Sequence, residues 1–184
     1  HVMMAVDQAR QRLDEPQVTW AAVMHDLGKG VTPKQEWPRH IGHEQTGVPL
    51  VAAVCARFNV PKDYRELARL VAEHHLRCHR LLEAKPKRIM ALLEALDGLR
   101  RPQRVQRFAQ ACTADALGRL GREQAEYPQA ALLESCLEAA TEVDIKPLLA
   151  KGYSGEALAD QIRQLRIAAI RNYLKHRQSC DPCQ

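Results

Sequence analysis

His25 and Asp26 stand side by side in the run V-T-W-A-A-V-M-H-D-L, which is otherwise apolar almost all round and reads as a helix buried at the centre of a bundle. Burying an ionised carboxylate is very costly unless a countercharge accompanies it, and a divalent metal is a compact way to supply one. An imidazole and a carboxylate at the end of one helix can both reach the same ion. Gly28 then ends the helix and opens the position to solvent, where Lys29 can meet an anionic substrate. Alone, the His-Asp pair is equally a structural ion pair. Two distant segments add weight. Asp115 shares a helical face with Val105, Phe108 and Cys112, where a carboxylate again lacks a reason other than a cation. His74 shares a stripe with Leu67, Val71 and Cys78 that reads as inward, whereas His75 faces the side of Ala68 and Ala72.

The elements that must carry these residues all have helical periodicity. Val2, Val6, Ala9 and Leu13 mark a first helix that Pro16 stops, and the central helix spans Val18 to Leu27 and ends at Gly28. Residues 28 to 38, with two Gly and two Pro, form a loop. Further helices are expected from His43 to Arg57, after Pro61, after Pro86 as far as Gly98, and after Pro102. The remainder holds helices at about 128 to 141, a short piece at 144 to 150, and one from Ser154 to about His176 lined by Leu158, Ile162, Leu165, Ala169 and Tyr173. No segment has strand periodicity. The expected architecture is an all-α bundle of about eight helices, with a core over residues 1–120, C-terminal helices over 121–178 packed on the same domain, and a disordered tail at 179–184.

Composition agrees. With 184 residues there is room for one full core, and the apolar set, 46% of the chain, is dominated by Ala and Leu with only 4% aromatic residues, which favours helix-on-helix packing. No stretch is long and apolar enough to span a membrane, and the first residues lack the order of a signal peptide, so a cytoplasmic protein is expected. Cys55, Cys78, Cys112 and Cys136 sit singly in helical patterns as small apolar residues, and Cys180-Asp-Pro-Cys183 has the spacing of half a zinc site with no second half. The net charge of +5 is clustered at Arg100, Arg101, Arg104 and Arg107, and along Arg163, Arg166, Arg171, Lys175 and Arg177. Such clusters suit a polyanion such as RNA, or are solvated helix faces; no aromatic platform accompanies them to stack bases.

The order His1, then His25-Asp26, then Asp115, with H-D-L-G-K at its centre, resembles the HD superfamily of metal-dependent phosphohydrolases. The resemblance implies a divalent ion, nickel, magnesium or manganese, held by His1, His25, Asp26 and Asp115. His43, in R-H-I-G-H-E, and His74, in E-H-H, match the family's additional histidines, which bind a second metal or the substrate phosphate; His40 is the rival of His43. Lys29, His43 and His74 are thereby the implied catalytic residues, binding phosphate or protonating the leaving oxygen.

Over essentially the whole chain, from W-A-A-V-M-H-D-L-G-K-G through H-E-Q-T-G and V-P-K-D-Y-R-E-L-A-R-L-V-A-E-H-H to K-R-I-M-A-L-L-E-A-L-D, the pattern resembles the C-terminal region of bacterial CCA-adding enzymes. That implies hydrolysis of 2′,3′-cyclic phosphates and 2′-phosphates at tRNA 3′ ends or on nucleotides. The chain has no Asp-x-Asp pair with a Gly-Ser signature, which places nucleotide addition on an N-terminal portion outside it. No Gly-Tyr-Pro follows His74-His75, against the cyclic-dinucleotide branch. The competing expectations are a nucleoside monophosphatase of the same fold and a non-catalytic module for tRNA binding or dimerisation, with a homodimer left open.

Overall fold

A computed structural model describes residues 1–13 and 15–180. Among the described residues there are nine α-helices and no strand: α1 Val2–Leu13, α2 Pro16–Met24, α3 His43–Arg57, α4 Lys62–His79, α5 Pro86–Ala95, α6 Pro102–Leu117, α7 Pro128–Thr141, the one-turn α8 Lys146–Ala150, and α9 Gly155–Cys180. The all-α reading is therefore correct. Pro16, Pro86, Pro102 and Pro128 each occupy the first position of a helix, where the missing N–H costs nothing. Pro16 thus starts α2 as well as stopping α1. Helix α9 continues through Cys180; of the expected tail and its Cys-x-x-Cys spacing, residues 181–184, including Cys183, lie outside the described residues.

The largest departure from expectation is at the end of α2, which stops at Met24 instead of running to Gly28. His25 is still helical, but Asp26 turns away at φ −104° and ψ 12°, and a 3-10 turn follows over Leu27–Val31. The reason lies at Gly28, where a Cβ would come within 2.0 Å of the His43 carbonyl oxygen. Only a glycine lets this turn rest on the first turn of α3. His25 and Asp26 consequently occupy a corner, and both side chains point into the middle of the bundle.

Helix α2 packs on α1, α4 and α6; α3 lies against α4; α7 and α9 close the other side, against α6 and α5. Phe108, Leu70, Ile89, Met90, Leu93 and Ile170 are among the fully buried core side chains. A second close approach joins α1 to the end of α6, where a Cβ on Gly118 would stand 2.5 Å from Ala5. The stripe of α9 is rotated from the expected one: Ile167 and Ile170 are buried whereas Leu165 is 36% exposed, because the helix meets α7 and α5 on that side. Cys55, Cys78, Cys112 and Cys136 are buried and unpaired. No helix among the described residues is long and apolar enough to cross a membrane.

Candidate metal centre

The two glycine contacts decide which side chains meet. The α1–α6 approach brings His1 beside Asp115, with Nε2 2.8 Å from Oδ1, and the corner after α2 brings His25 to the same place, its Nε2 3.4 Å from Asp115 Oδ1 and 3.1 Å from Asp26 Oδ2. On the other side of Asp26, Oδ1 lies 3.3 Å from His43 Nε2 and 3.8 Å from His75 Nε2. Two groups of three donors result: His1, His25 and Asp115; and Asp26, His43 and His75. The Asp26 carboxylate faces both, with one oxygen toward each.

The imidazoles are held by their outer nitrogens. Nδ1 lies 3.0 Å from the Gly118 carbonyl in His1, 2.7 Å from that of Ala22 in His25, 2.8 Å from that of His40 in His43, and 3.0 Å from that of Val71 in His75. A carbonyl can only accept, so each Nδ1 carries a hydrogen, and each Nε2 is the atom turned inward, where a metal would take its lone pair. The Nε2 atoms of His43 and His75 face one another at 3.3 Å. Moreover, His25 Nε2, Asp26 Oδ1 and Asp115 Oδ1 are buried without an aligned hydrogen bond, although their neighbours are close. Buried acceptors crowded together are unfavourable unless a cation sits among them. Ligand atoms about 2.1 Å from one small divalent ion and at right angles to each other would stand about 3 Å apart, similar to the spacing here. The donor set therefore fits a divalent cation.

The electrostatics point the same way. Burial opposes charge on His25, yet the Asp115 and Asp26 carboxylates outweigh it and raise its pKa to about 10. Burial likewise opposes ionisation of the two carboxyls, but His25 with Lys29 holds Asp26, and His25 with His79 holds Asp115, well below the ordinary carboxylate range. Without an ion, a proton on His25 occupies the place between two carboxylates that a metal would take. His75 behaves differently: burial, and then the positive charge of His25, lower its pKa to about 4, so it stays neutral.

A family model described as HD domain matches residues 1–117, which include all four residues of the pattern His1, His25-Asp26 and Asp115. The chain belongs to the HD domain family. Over 177 residues, 96% of its length, this HD chain is 47% identical to the Multifunctional CCA protein of Pseudomonas aeruginosa (strain LESB58). It is 47% identical over 173 residues to that of Pseudomonas syringae pv. syringae (strain B728a), and 43% over 173 residues to that of Hahella chejuensis (strain KCTC 2396), in each case covering 94% of its own length. It spans 43%, 42% and 41% of the three relatives, respectively. No solved structure matches it.

Of the residues singled out from the sequence, the fold brings together His1, His25, Asp26, His43 and Asp115. His40 lends only its carbonyl to His43, and its ring lies 6.0 Å from that of Trp37. Lys29 donates to Asp26 Oδ2 at 2.5 Å and lines a mouth of about 430 Å³ with His1, Gly118 and Arg119. The reading of His74 is corrected: His75 turns to the centre, while His74, beside Glu73, lines a groove on another face. The stripe of Leu67, Val71, His74 and Cys78 is buried as expected, but so is the side of Ala68, Ala72 and His75, and it is the latter that faces the carboxylates. Small side chains allow a close approach, and His75 follows them at helical spacing.

Three participants were not anticipated. His79, four residues after His75, places Nε2 2.6 Å from Asp115 Oδ2 and Nδ1 2.8 Å from the Tyr127 hydroxyl. Arg119, one turn beyond Asp115, brings its guanidinium to 3.8 Å from Asp115 Oδ1 at the mouth. The four-residue spacings His75 to His79 and Asp115 to Arg119 were the signals that could have found two of them.

Charge on the surface is also redistributed. Arg100, Arg104 and Arg107, expected as a polyanion face, pair with Asp97 at 2.7 Å, Glu66 at 2.5 Å and Glu15 at 2.8 Å. Arg163 of α9 pairs with Glu94 at 2.7 Å. In contrast, Arg80, Lys85, Lys87 and Arg88 are exposed and border the His74 groove, of about 970 Å³, and no ion pair forms at any of them among the described residues.

Proposed function

We propose that this chain is the hydrolytic HD portion of a CCA-adding tRNA nucleotidyltransferase, a divalent-metal-dependent phosphohydrolase acting on 2′,3′-cyclic phosphates and 2′-phosphates of tRNA 3′ ends or nucleotides. The observation that carries it is the meeting of inward Nε2 atoms and buried carboxylate oxygens from three separate helices, the residue before α1 and the corner after α2, with no aligned partners for His25 Nε2, Asp26 Oδ1 and Asp115 Oδ1. The printed name shared by relatives at 43–47% identity supports the tRNA connection. Because the chain spans under half of those relatives, nucleotide addition belongs to a portion outside it.

His1, His25, Asp26 and Asp115 would hold the ion, with nickel, manganese or magnesium suited to mixed nitrogen and oxygen donors. When bound, it would polarise the phosphoryl oxygens and lower the pKa of a water. The chain's own groups do the rest. Lys29 and Arg119, on the rim of the mouth, bind the phosphate oxygens and orient the phosphorus above the donor cluster. A water gives one proton to the solvent as its oxygen bonds to phosphorus, the bond from phosphorus to one ribose oxygen breaks, and that oxygen takes a proton from Lys29, which regains one from the solvent at the mouth. His43, His75 and Asp26 Oδ1 offer acceptors alone, which suits a second cation better than the phosphate-binding role expected of a histidine pair. The unpaired bases of the groove, Arg80, Lys85, Lys87 and Arg88, are the surface best suited to an RNA backbone.

The test is hydrolysis of a 2′,3′-cyclic nucleotide with added divalent metal. Wild type should convert it, and Asp26→Ala and Asp115→Ala should not. Undiminished turnover by either variant rules the centre out.

A further inference from the structure

Five imidazoles surround the carboxylates, and four share one arrangement: Nδ1 on a backbone carbonyl and Nε2 turned to the centre. His79 departs from it. Its Nδ1 meets the hydroxyl of Tyr127 at 2.8 Å, a group able to donate, and its Nε2 meets Asp115 Oδ2, which can only accept, at 2.6 Å. An ionised carboxylate can only accept, so His79 Nε2 carries a hydrogen and donates it to Asp115. His79 thereby turns an N–H toward the carboxylate and has no inward lone pair to give a metal. Asp115 in turn is divided: Oδ2 is occupied by His79, and Oδ1 is left facing His1 and His25.

The far end of this chain of bonds is anchored outside the matched HD region. Tyr127 precedes the first turn of α7, beyond residue 117, and Gln129 in that turn donates Nε2 to the His79 carbonyl at 3.2 Å. The phenol is half-buried, 3.5 Å from Cys78 Sγ. The entry to α7 is thus bonded to residue 79 through both its side chain and its backbone.

We propose that Tyr127 and His79 form a positioning relay that fixes the Asp115 carboxylate, so that the segment after the HD region completes the metal centre. This rests on the reading of Asp115 as a ligand. Hydrogen bonds from a second layer of residues orient metal ligands, and losing one typically weakens metal binding about 10–100-fold.

The experiment is titration of the whole chain with manganese alone, followed by electron paramagnetic resonance of free and bound ion, with a thermal melt of each metal-free protein. His79→Ala should weaken manganese binding about 10–100-fold. His79→Gln, whose amide can donate to Asp115, should recover most of the affinity. Tyr127→Phe, which removes one hydroxyl, should weaken binding several-fold and alter the bound spectrum while the metal-free melt stays within a few degrees of wild type. Wild-type affinity and spectrum in Tyr127→Phe overturn the relay, and this variant decides the matter if His79→Ala does not fold. Loss in His79→Gln as complete as in Asp115→Ala makes His79 a ligand and overturns the positioning role. No binding by the wild type refutes the metal centre itself, a result distinct from either.

Discussion

Arg104 of α6 meets Glu66 of α4 at 2.5 Å, and in the segment before α6 Arg100 meets Asp97 at 2.7 Å, each guanidinium answered by a carboxylate. In the interior, by contrast, His25 Nε2 lies 3.1 Å from Asp26 and 3.4 Å from Asp115 while key atoms of all three lack an aligned partner. The first region is a finished set of charges, and its members need nothing more. The second is crowded with donors that share a missing partner. Burial sharpens the contrast: the belt is largely exposed and each pair contributes little, whereas the interior groups could not be left uncompensated. The groove beside His74 is a third case, with four cations that have no ion-pair partner among the described residues.

The largest effect should come from breaking the interior set. Asp115→Asn should lower hydrolysis about a thousandfold or more, since the Lewis-acid contribution is several kcal/mol and each 1.4 kcal/mol is about tenfold. Initial rates at saturating metal measure it, and a loss below about tenfold would reduce Asp115 to a bystander. Next, metal should stabilise the fold: manganese at about one hundred times its Kd adds about 2.7 kcal/mol, or roughly 5–10 °C in Tm for a domain of this size. Asp26→Ala should abolish that increment, and an equal increment in the variant would contradict the assignment.

A smaller effect separates the groove from the belt. Neutralising Arg80, Lys87 and Arg88 together should weaken binding of a short RNA and make the salt dependence shallower by about 2–3 in log–log slope, with turnover of a small cyclic nucleotide unchanged. Neutralising Arg100, Arg101 and Arg104 should change RNA binding far less. Equal losses in both triple variants would erase the distinction between paired and unpaired cations. The smallest effect is in the belt itself, where a double-mutant cycle on Arg104 and Glu66 should give a coupling of at most about 1 kcal/mol by denaturant unfolding.

These differences also mark what the sequence could and could not disclose. Helices were legible because proline at their first positions and 3.6-residue periodicity are local signals, as in α5 and α6. His25, Asp26 and Asp115 were legible because a carboxylate on an apolar face is conspicuous in one dimension. His75 was not singled out because both sides of α4 are buried, and Ala68 and Ala72 mark theirs less visibly in the sequence than Leu67 and Val71 mark the side of His74. The partners of the arginine belt were not legible for the complementary reason: Glu66 and Glu15, which pair with Arg104 and Arg107, lie 38 and 92 positions away along the chain. Tyr127 gave no local signal at all, since its role exists only once α7 has docked beside the end of α4.

The central claim is that imidazoles and carboxylates from separate helices share one cation. Anomalous diffraction at the manganese edge from a crystal equilibrated with that metal tests it most directly. The account predicts a peak within bonding distance of His1 Nε2, His25 Nε2, Asp26 and Asp115. A crystal saturated with manganese that shows no peak there would contradict it.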